Sequence, residues 1–204
     1  MTNLVVYNER IVDFKGLCKD YQINEEMLKE YFFDGDKEKL NLLNFTLNLN
    51  VDKPTLFYPG CGVDILYPLF FLEKVFPKLS EIKLIFNDID NNLGIIKTIL
   101  DDIGVSFSGN ETELKFYWKN ILIDLEFLRG NVFSMNLPHF DLYFERAFRI
   151  MKDQDLRYEF RIYERLNQKG ILISDSGFER FELEKLKVPL ELSSYGEMVI
   201  GKKK

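Results

Sequence analysis

A segment with two glycines separated by one residue, at 55–64, constrains the fold of this chain more than any other. Residues 56–58 have the size and β-propensity of a buried strand, and Gly60 and Gly62 permit positive φ and a close approach of the backbone to a ligand. A second apolar stretch, 65–76, follows at once. Strand, glycine turn and helix predict a nucleotide-type binding site, because N–H groups at a helix start carry partial positive charge and glycine leaves them accessible. A purely structural turn uses the same residues, so the motif alone leaves both alternatives open.

The composition fits an α/β protein with an aromatic core. The chain has 204 residues, of which 46% are hydrophobic and 29% charged, and it includes 19 phenylalanines and 10 tyrosines. This length is ample for one buried core. The net charge of -6 gives no general attraction for nucleic acid or for an anionic membrane. We therefore expect a small-molecule partner rather than nucleic acid.

The cysteine, histidine and hydropathy patterns indicate whether the chain has disulfides, a metal site or a membrane span. Cys18 and Cys61 are far apart and lack C-x-x-C spacing, and His139 is the single histidine, so neither a disulfide framework nor a metal site is predicted. Residues 1–10 lack the basic start and apolar core of a signal peptide, and no apolar run approaches the roughly 20 residues of a membrane span. These features predict a cytoplasmic protein that does not associate with membranes.

Strand and helix patterns alternate after the glycine turn, which predicts a parallel sheet. The first predicted elements are a helix over 66–76, which begins at Leu66 or near Pro68 and stops at Pro77, a strand at 83–88, and a helix capped by Asn91 or Asn92 that runs to Gly104. A polar turn at 106–113 and extended structure at 114–133, as one strand or a hairpin, follow. The last elements are a strand at 141–145, a helix from Asp153 or Gln154, a strand at 171–174, and a closing β-hairpin from 188–192 and 198–200. The helix from Asp153 or Gln154 is expected to bury Leu156, Phe160, Tyr163 and Leu166.

Residues 1–50 look helical and form an N-terminal extension to a domain at 51–204. A helix is predicted from Asn24 through Phe32, and the residues 34–36 break it and cap a second helix, in which Leu40, Leu43 and Leu47 recur at helical spacing. Two roles are open for these helices. They pack against the sheet, or they also cover its ligand-binding edge as a lid.

The order of these parts resembles that of the class I S-adenosylmethionine-dependent methyltransferases, over residues 52–201. In that family a G-x-G turn after the first strand approaches the methionine moiety, which matches 58–62. An acidic residue ends the second strand and binds the ribose hydroxyls, which matches Asp88, and a polar segment after the third strand flanks the adenine, which matches 130–133 with Asn131. The resemblance implies a Rossmann-like, doubly wound, seven-stranded and mostly parallel sheet with an antiparallel terminal strand.

The resemblance also implies S-adenosylmethionine as the cofactor and a set of cofactor-binding residues. Those residues are Tyr58, Gly60, Cys61, Gly62, Asp64, Asp88, Ile89, Asn131, Val132 and Glu145. Other roles stay open for some of them: Asp88 can cap the next helix, Asn131 can form an Asx turn, and the contact at Cys61 is expected from its backbone, with no catalytic role for the thiol.

The chain departs from the family's pattern at two places. Asp64 stands where the third glycine is usual, and its carboxylate can repel that of the cofactor, cap the following helix, or hold the cofactor's amino group. The segment 144–149 stands where nucleic-acid amino-methylating enzymes have Asn or Asp followed by Pro-Pro-Tyr/Phe, so no catalytic residue is identified. Glu145 and Arg146 in this segment either face the cofactor cleft or form ion pairs.

Two basic features fall outside the resemblance. Arg157, Arg161 and Arg165 are spaced to share one helix face, where they either grip an acidic group or form a solvated face balanced by nearby acids. His139, in a loop, is either a proton acceptor or a structural residue.

The sequence thus favours a methyltransferase that acts on a small molecule. A non-catalytic binding or assembly protein with the same fold is the alternative, which Asp64 and the missing substrate motif allow. A nicotinamide-dependent oxidoreductase ranks last, because G-x-G-x-x-G would require a third glycine at Ile65.

Overall fold

The computed structural model describes residues 8–178, 181–193 and 196–204. Their helices are α1 Glu25–Tyr31, α2 Asp34–Asn41, α3 Leu66–Val75, α4 Leu93–Asp102, α5 Arg149–Lys152 and α6 Tyr158–Arg165, with a 3-10 helix at Leu190–Leu192. Their strands are β1 Thr55–Pro59, β2 Glu81–Asp88, β3 Phe107–Gly109, β4 Glu113–Trp118, β5 Ile121–Arg129, β6 Phe140–Glu145, β7 Leu166–Ser174, β8 Leu183–Lys185 and β9 Val199–Lys203.

The strands form one mixed sheet in the order β3-β4-β5-β2-β1-β6-β7-β9-β8. The five central strands, β5 to β7 in this order, are parallel to one another, while β9 runs antiparallel to β7 and to β8. From β1 the chain builds outward through β2 and β5 on one side and through β6 and β7 on the other, as in doubly wound folds. The predicted Rossmann-like architecture with an antiparallel terminal strand is confirmed.

The sheet has nine strands in the described residues, so the predicted number of seven was wrong. The extended stretch at 114–133 is a hairpin of β4 and β5, one of the two predicted alternatives. The segment 106–113, predicted to be only a turn, contains β3, in which the buried Phe107 pairs with Phe116 of β4. A strand of three residues is too short to show an alternating pattern, which is why polar neighbours concealed it.

Alternate residues of the central strands are buried on opposite faces of the sheet. Leu56 and Tyr58 of β1 belong to a core cluster that includes residues of α3 and α4, while Phe57 belongs to a second cluster that includes residues of α6. Because these strands are buried on both faces, their apolar residues follow one another directly instead of alternating with polar residues.

The structure shows where two of the predicted helices begin. Helix α3 begins at Leu66, one of the two predicted starts, and includes Pro68 in its first turn. Proline is tolerated there, because N–H groups in the first turn of a helix have no intrahelical partner. Helix α6 begins at Tyr158, after a turn at 153–157, so the face predicted from Asp153 or Gln154 was wrong.

The buried face of α6 is set by a contact with β6. Tyr158 and Ile162 are buried, whereas Leu156 and Phe160 are 74% and 52% exposed. The hydroxyl of Tyr158 lies 3.0 Å from that of Tyr143 on the neighbouring strand. This tertiary contact rotates the helix away from the phase that its own sequence suggests.

The N-terminal region is only partly helical. Asn24 caps α1 as predicted, because its side chain accepts hydrogen bonds from the backbone N–H groups of Glu26 and Met27. Helix α2 contains residues 34–36 in its first turn, and Leu43 and Leu47 lie beyond its end, so those predictions were wrong. Residues 8–24 form no regular secondary structure, and residues 1–7 lie outside the described part of the chain. Phe32, Leu40 and Leu43 are buried in the core cluster that contains α3 and α4.

The terminal antiparallel pair is built differently from the predicted hairpin. Strand β9 begins at Val199 and pairs with β8, while part of the predicted partner at 188–192 forms the 3-10 helix. Ser194 and Tyr195 of the predicted turn lie outside the described residues.

Candidate cofactor and substrate site

A cavity of about 480 Å³ lies where β1 and β6 end side by side. The order of the sheet reverses between these two strands, and ligands of doubly wound folds bind outside the strand ends at such a point. The glycine turn forms one wall and the N-terminal helices another, while the ends of β6 and β7 form the base. Its lining includes Tyr31, Phe32, Phe33, Asp36, Lys39, Tyr58, Gly60, Cys61, Asp64, Tyr67, Glu145, Arg146, Ala147 and Asp175.

The two glycines of the turn have different surroundings. Both have positive φ, 58° for Gly60 and 54° for Gly62, which other residues rarely adopt. A Cβ atom at Gly60 would lie 2.4 Å from Cε2 of the buried Phe148 ring, whereas a Cβ at Gly62 would meet no atom within 4 Å. The structure therefore explains Gly60 by close packing, and only Gly62 leaves open space beside the backbone.

Asp88 is held beside the glycine turn by backbone groups. Its Oδ2 accepts a hydrogen bond of 2.9 Å from the N–H of Gly62, and its Oδ1 accepts one of 3.1 Å from the N–H of Asp90. The residue at the N-cap of α4 is Asn92, so Asp88 is not the helix cap. Ile89, next in sequence, is 60% exposed at the same edge. A carboxylate at this strand end has spare acceptor positions for a diol.

Asn131 forms an Asx turn, which was one of the alternatives predicted for it. Its Oδ1 accepts a hydrogen bond of 2.9 Å from the N–H of Phe133, and the residue is exposed, while Val132 is buried. The segment is tied to β2 by the buried amide of Asn87, which donates to the carbonyl oxygens of Leu128 and Gly130. Asn87 was missed by the sequence analysis because its partners lie 41 and 43 residues away.

Asp64 binds a backbone group in the first turn of α3 and is also ion-paired. Its Oδ1 accepts a hydrogen bond from the N–H of Tyr67, but the residue at the N-cap of α3 is Ile65, so Asp64 is not the helix cap itself. Its Oδ2 accepts hydrogen bonds of 2.9 Å from the hydroxyl of Tyr58 and 3.1 Å from Nη1 of Arg146. Burial raises the pKa of Asp64, and Arg146 and Tyr58 oppose that shift. Burial also raises the pKa of Tyr58 well above its usual value, so the hydroxyl remains a donor.

Arg146 joins the N-terminal region to the glycine turn. Its guanidinium forms ion pairs with Asp36 of α2 and with Asp64, and its central carbon lies 3.7 Å from the ring centroid of Tyr67. The nearby carboxylates raise the pKa of Arg146 above its usual range, against the effect of burial. Desolvation raises the pKa of Tyr67 to about 12. Arg146 thus lines the cavity and also forms ion pairs, so both predicted alternatives describe it.

Glu145 borders the cavity, but its carboxylate is engaged by protein groups. The side chain is completely buried and forms an ion pair of 2.8 Å with Lys152. It also accepts hydrogen bonds from the hydroxyl groups of Tyr143, Ser174 and Ser176. The ion-pair alternative therefore describes Glu145 too, and its partner is a buried lysine that the sequence did not reveal.

The other candidate residues from the sequence make contacts that indicate structural roles. Burial raises the pKa of the Cys61 thiol well above its usual value, which keeps it protonated. Arg161 donates to the carbonyl oxygens of Phe133 and Met135. Arg165 contacts Asn136 and the ring of His139. Arg161 and Arg165 thus hold the loop that precedes β6.

The structure brings some predicted site residues together at the cavity and leaves others at a neighbouring edge. Tyr58, Gly60, Cys61, Asp64 and Glu145 line the cavity. Gly62, Asp88, Ile89, Asn131 and Val132 lie outside its lining, along the ends of β1, β2 and β5. No local sequence pattern marks Asp36, Tyr67, Phe148 or Asp175 as residues of this site.

The described residues contain neither a candidate metal site nor a candidate membrane-spanning helix. They contain no group of three or more His, Cys, Asp or Glu side chains arranged to hold a metal ion. In the same part of the chain, no helix has the length and hydropathy needed to cross a bilayer.

Comparison with known proteins yields similarity in structure alone. No protein-family model matches this chain, and no curated protein matches it. Many solved structures do match. One, from Methanococcus maripaludis, is provisionally described as an S-adenosyl-L-methionine-dependent methyltransferase; it is 12% identical, the alignment covers 88% of this chain and 90% of that one, and the TM-score is 0.48.

Two other matches cover less of their partners. YcgJ from Bacillus subtilis is 15% identical, with 69% of this chain and 49% of that chain covered and a TM-score of 0.40. SibL, an S-adenosylmethionine-dependent methyltransferase, is 10% identical, with 74% and 50% covered and a TM-score of 0.46. This chain thus spans about half the length of YcgJ and SibL. Because these identities and TM-scores are low, the fold assignment rests on the strand order of the sheet itself.

Proposed function

We propose that this protein binds S-adenosylmethionine and transfers its methyl group to a small molecule. The observation that carries the proposal is the open backbone at Gly62, which is hydrogen-bonded to Asp88 at the end of the adjacent strand. This pairing supports a ligand that needs both a close backbone approach and an acceptor for hydroxyl groups. The position at the reversal of strand order supports it further.

The residues present fit the chemical groups of this cofactor. Gly62 and its neighbours would meet the methionine part, Asp88 the ribose hydroxyls, and Ile89, Asn131 and Val132 the adenine. Asp64 is ion-paired with Arg146, which lowers the repulsion that its carboxylate would exert on that of the cofactor. When bound, the cofactor supplies an electrophilic methyl group; the protein's own contribution is to orient the ligands and exclude water.

A small-molecule substrate is supported by the size and lining of the cavity. Its volume of about 480 Å³ falls within the range of ligand pockets, and aromatic side chains alternate with a few charged groups along its walls. The net charge of -6 gives no support to a nucleic-acid substrate. We place the reaction in the cytoplasm, as the cysteine usage suggests.

The N-terminal region, 1–50, is proposed as a partial lid on a methyltransferase-like domain at 51–204. Tyr31, Phe33 and Asp36 line the cavity, and Asp36 is ion-paired to Arg146 at the end of β6. Release of this ion pair would loosen the first turn of α2 at the cavity, while Leu40 keeps the end of the helix in the core. A ligand that reaches the glycine turn would therefore be enclosed between the two regions.

A non-catalytic binding role is the second candidate function. It is favoured by Phe148, whose ring covers Gly60, and by the absence from the cavity lining of Gly62 and Asp88. A protein with these features would bind a ligand in the cavity without placing a cofactor beside it.

Calorimetric titration separates these functions. We expect S-adenosylmethionine and S-adenosylhomocysteine to bind the purified protein with micromolar Kd, and NAD, the control, not to bind. Gly62→Val should weaken S-adenosylhomocysteine at least about 100-fold, since the side chain fills the open space, which corresponds to about 2.7 kcal/mol. Gly16→Val is the matched control, because Gly16 also has a positive φ of 81° and open surroundings. Its neighbour Lys15 is hydrogen-bonded to Phe107 of the outermost strand β3, away from the glycine turn.

The outcomes are distinct. Equal loss of affinity in both variants would show that backbone strain, and not the site, is responsible. Failure of both sulfur compounds to bind a folded wild-type protein would favour the non-catalytic role, and binding of NAD alone would favour an oxidoreductase.

A further inference from the structure

Asp175 differs from the other carboxylates that line the cavity. Asp36 and Asp64 are both ion-paired with Arg146, and Glu145 is ion-paired with the buried Lys152. Among the described residues, no lysine or arginine nitrogen lies within ion-pair distance of the Asp175 carboxylate. The cavity thus contains one carboxylate without an ion-pair partner among the described residues, although Arg146 and Lys152 lie close enough to oppose the rise of its pKa.

The carboxylate of Asp175 is nevertheless held in a fixed position. Both of its oxygens accept hydrogen bonds from the backbone N–H of Ala147, at 2.9 and 3.0 Å. Ala147 has a φ of 53°, a conformation that costs a residue other than glycine free energy and that this contact helps to maintain. An ionised carboxylate has about four acceptor positions, so acceptor capacity remains on the cavity side.

The surroundings of Asp175 suit a positively charged ligand. The residue is half-buried, and burial raises the pKa of its carboxyl against the opposing hydrogen bond from Ala147. A partly desolvated carboxylate gains more from a bound cation than an exposed one does. Tyr31, Phe33 and Tyr67 line the same cavity, and the guanidinium of Arg146 already lies against the Tyr67 ring. Aromatic faces stabilise nearby cations and also bury an apolar group.

We propose that the cavity recognises a small molecule that carries an ammonium group, with Asp175 as its ion-pair partner and the aromatic wall as the contact for its apolar part. This inference rests on the proposed function, because it names the substrate class of the same site. Asp175 is then a specificity-determining residue. An acid of the same shape is bound less tightly because its carboxylate would face that of Asp175, and an alcohol is bound less tightly because it has no charge. Arg146, which lines the same cavity, already pairs with the carboxylates of Asp36 and Asp64.

Three matched probes test the inference by ligand-observed NMR and competition titration. Phenethylamine, 2-phenylethanol and 3-phenylpropanoate share an aromatic ring and a short chain but carry a cation, a neutral group and an anion. We expect phenethylamine to bind about tenfold more tightly than 2-phenylethanol, as a charged hydrogen bond in a partly desolvated site would provide, and 3-phenylpropanoate to bind most weakly.

The variants separate charge from structure. Asp175→Asn keeps an oxygen to accept from Ala147 but removes the charge, so it should fold and should bind phenethylamine and 2-phenylethanol equally. Asp52→Asn is the control, because Asp52 is exposed and lies outside the lining of this cavity; it should retain the wild-type preference.

Each result is decisive. Equal binding of the three probes to the wild type, no binding of any probe, or a preference for the amine that persists in Asp175→Asn would overturn the inference. A separate titration measures the binding of S-adenosylhomocysteine, which tests the proposed function. If it binds and the amine preference is absent, the proposed function stands and the inference fails. If the amine preference is present and S-adenosylhomocysteine does not bind, the amine site stands without the proposed function.

Discussion

The site has two halves, which are built in different ways. The cavity half, formed by Asp64, Arg146 and Asp175, is joined by long-range contacts, of which the Arg146–Asp36 ion pair links residues 110 positions apart. The edge half, formed by Asp88 and Asn131, depends largely on short turns, since each of these side chains accepts a hydrogen bond from a backbone N–H two residues further on. The cavity half therefore requires the whole fold, whereas much of the edge half is specified locally.

The two halves also differ in where charge is placed. Asp64 in the cavity half and Glu145 beneath it are partly or fully buried and are paired with cations. In the edge half, the half-buried carboxylate of Asp88 is held by backbone N–H groups, and Asn131 is exposed and neutral. Removal of a partner from a buried ion pair costs far more free energy than loss of an exposed hydrogen bond. Substitutions in the two halves should consequently differ in size, and this difference can be measured.

The largest effect is expected at Lys152, beneath the cavity half. Lys152→Met leaves the fully buried carboxylate of Glu145 without its cation, so the free energy of unfolding should fall by about 3–5 kcal/mol. Urea unfolding followed by circular dichroism measures the loss. Lys187→Met, at an exposed position, is the control and should change stability little.

A second variant checks the cause of that loss. Lys152→Met combined with Glu145→Gln should recover part of the stability, because no unpaired buried charge remains. If the double variant is less stable by the sum of two independent losses, packing of the lysine stem is the more important contribution.

An intermediate effect is expected at Arg146. Arg146→Met leaves Asp36 and Asp64 without a cation, but because all three side chains are partly exposed, the loss should be about 2 kcal/mol. Hydrogen exchange should increase in α2, which is held to the glycine turn by this arginine. Asp36→Asn should loosen α2 as well, with a smaller loss of stability. Unchanged protection of α2 in both variants would show that the ion pair does not hold the N-terminal region.

The smallest effect is expected at Asn131. Asn131→Ala removes the hydrogen bond to the N–H of Phe133 at an exposed position and should lower the free energy of unfolding by about 1 kcal/mol or less. Asn131→Asp keeps an acceptor there and should be nearly neutral. Thermal unfolding of the two variants provides the measurement. A loss at Asn131 as large as that at Lys152 would contradict the distinction between the two halves.

Local patterns were sufficient to predict much of the sheet and of the edge half. The cap at Asn24 is set by residues next to it in sequence, and the glycine turn and the acid at the end of β2 were predicted from local strand and turn patterns. The hydrogen bond between Gly62 and Asp88 joins residues 26 positions apart and has no local signal.

The face of α6 was not predicted correctly, because the contact between Tyr158 and Tyr143 determines it. No local sequence pattern identifies Asp36 or Asp175, because each side chain is positioned by a partner from another part of the chain.

The two outermost strands of the nine-stranded sheet affect how readily the protein can self-associate. Both outermost strands, β3 and β8, are only three residues long. The carbonyl of Phe107 in β3 also accepts a hydrogen bond from the N–H of Lys15, so the N-terminal segment occupies part of that border. Long unpaired strands invite another chain to extend a sheet by main-chain pairing. With short and partly occupied borders, this sheet offers little backbone on which an amyloid-like stack or a strand exchange between molecules can begin.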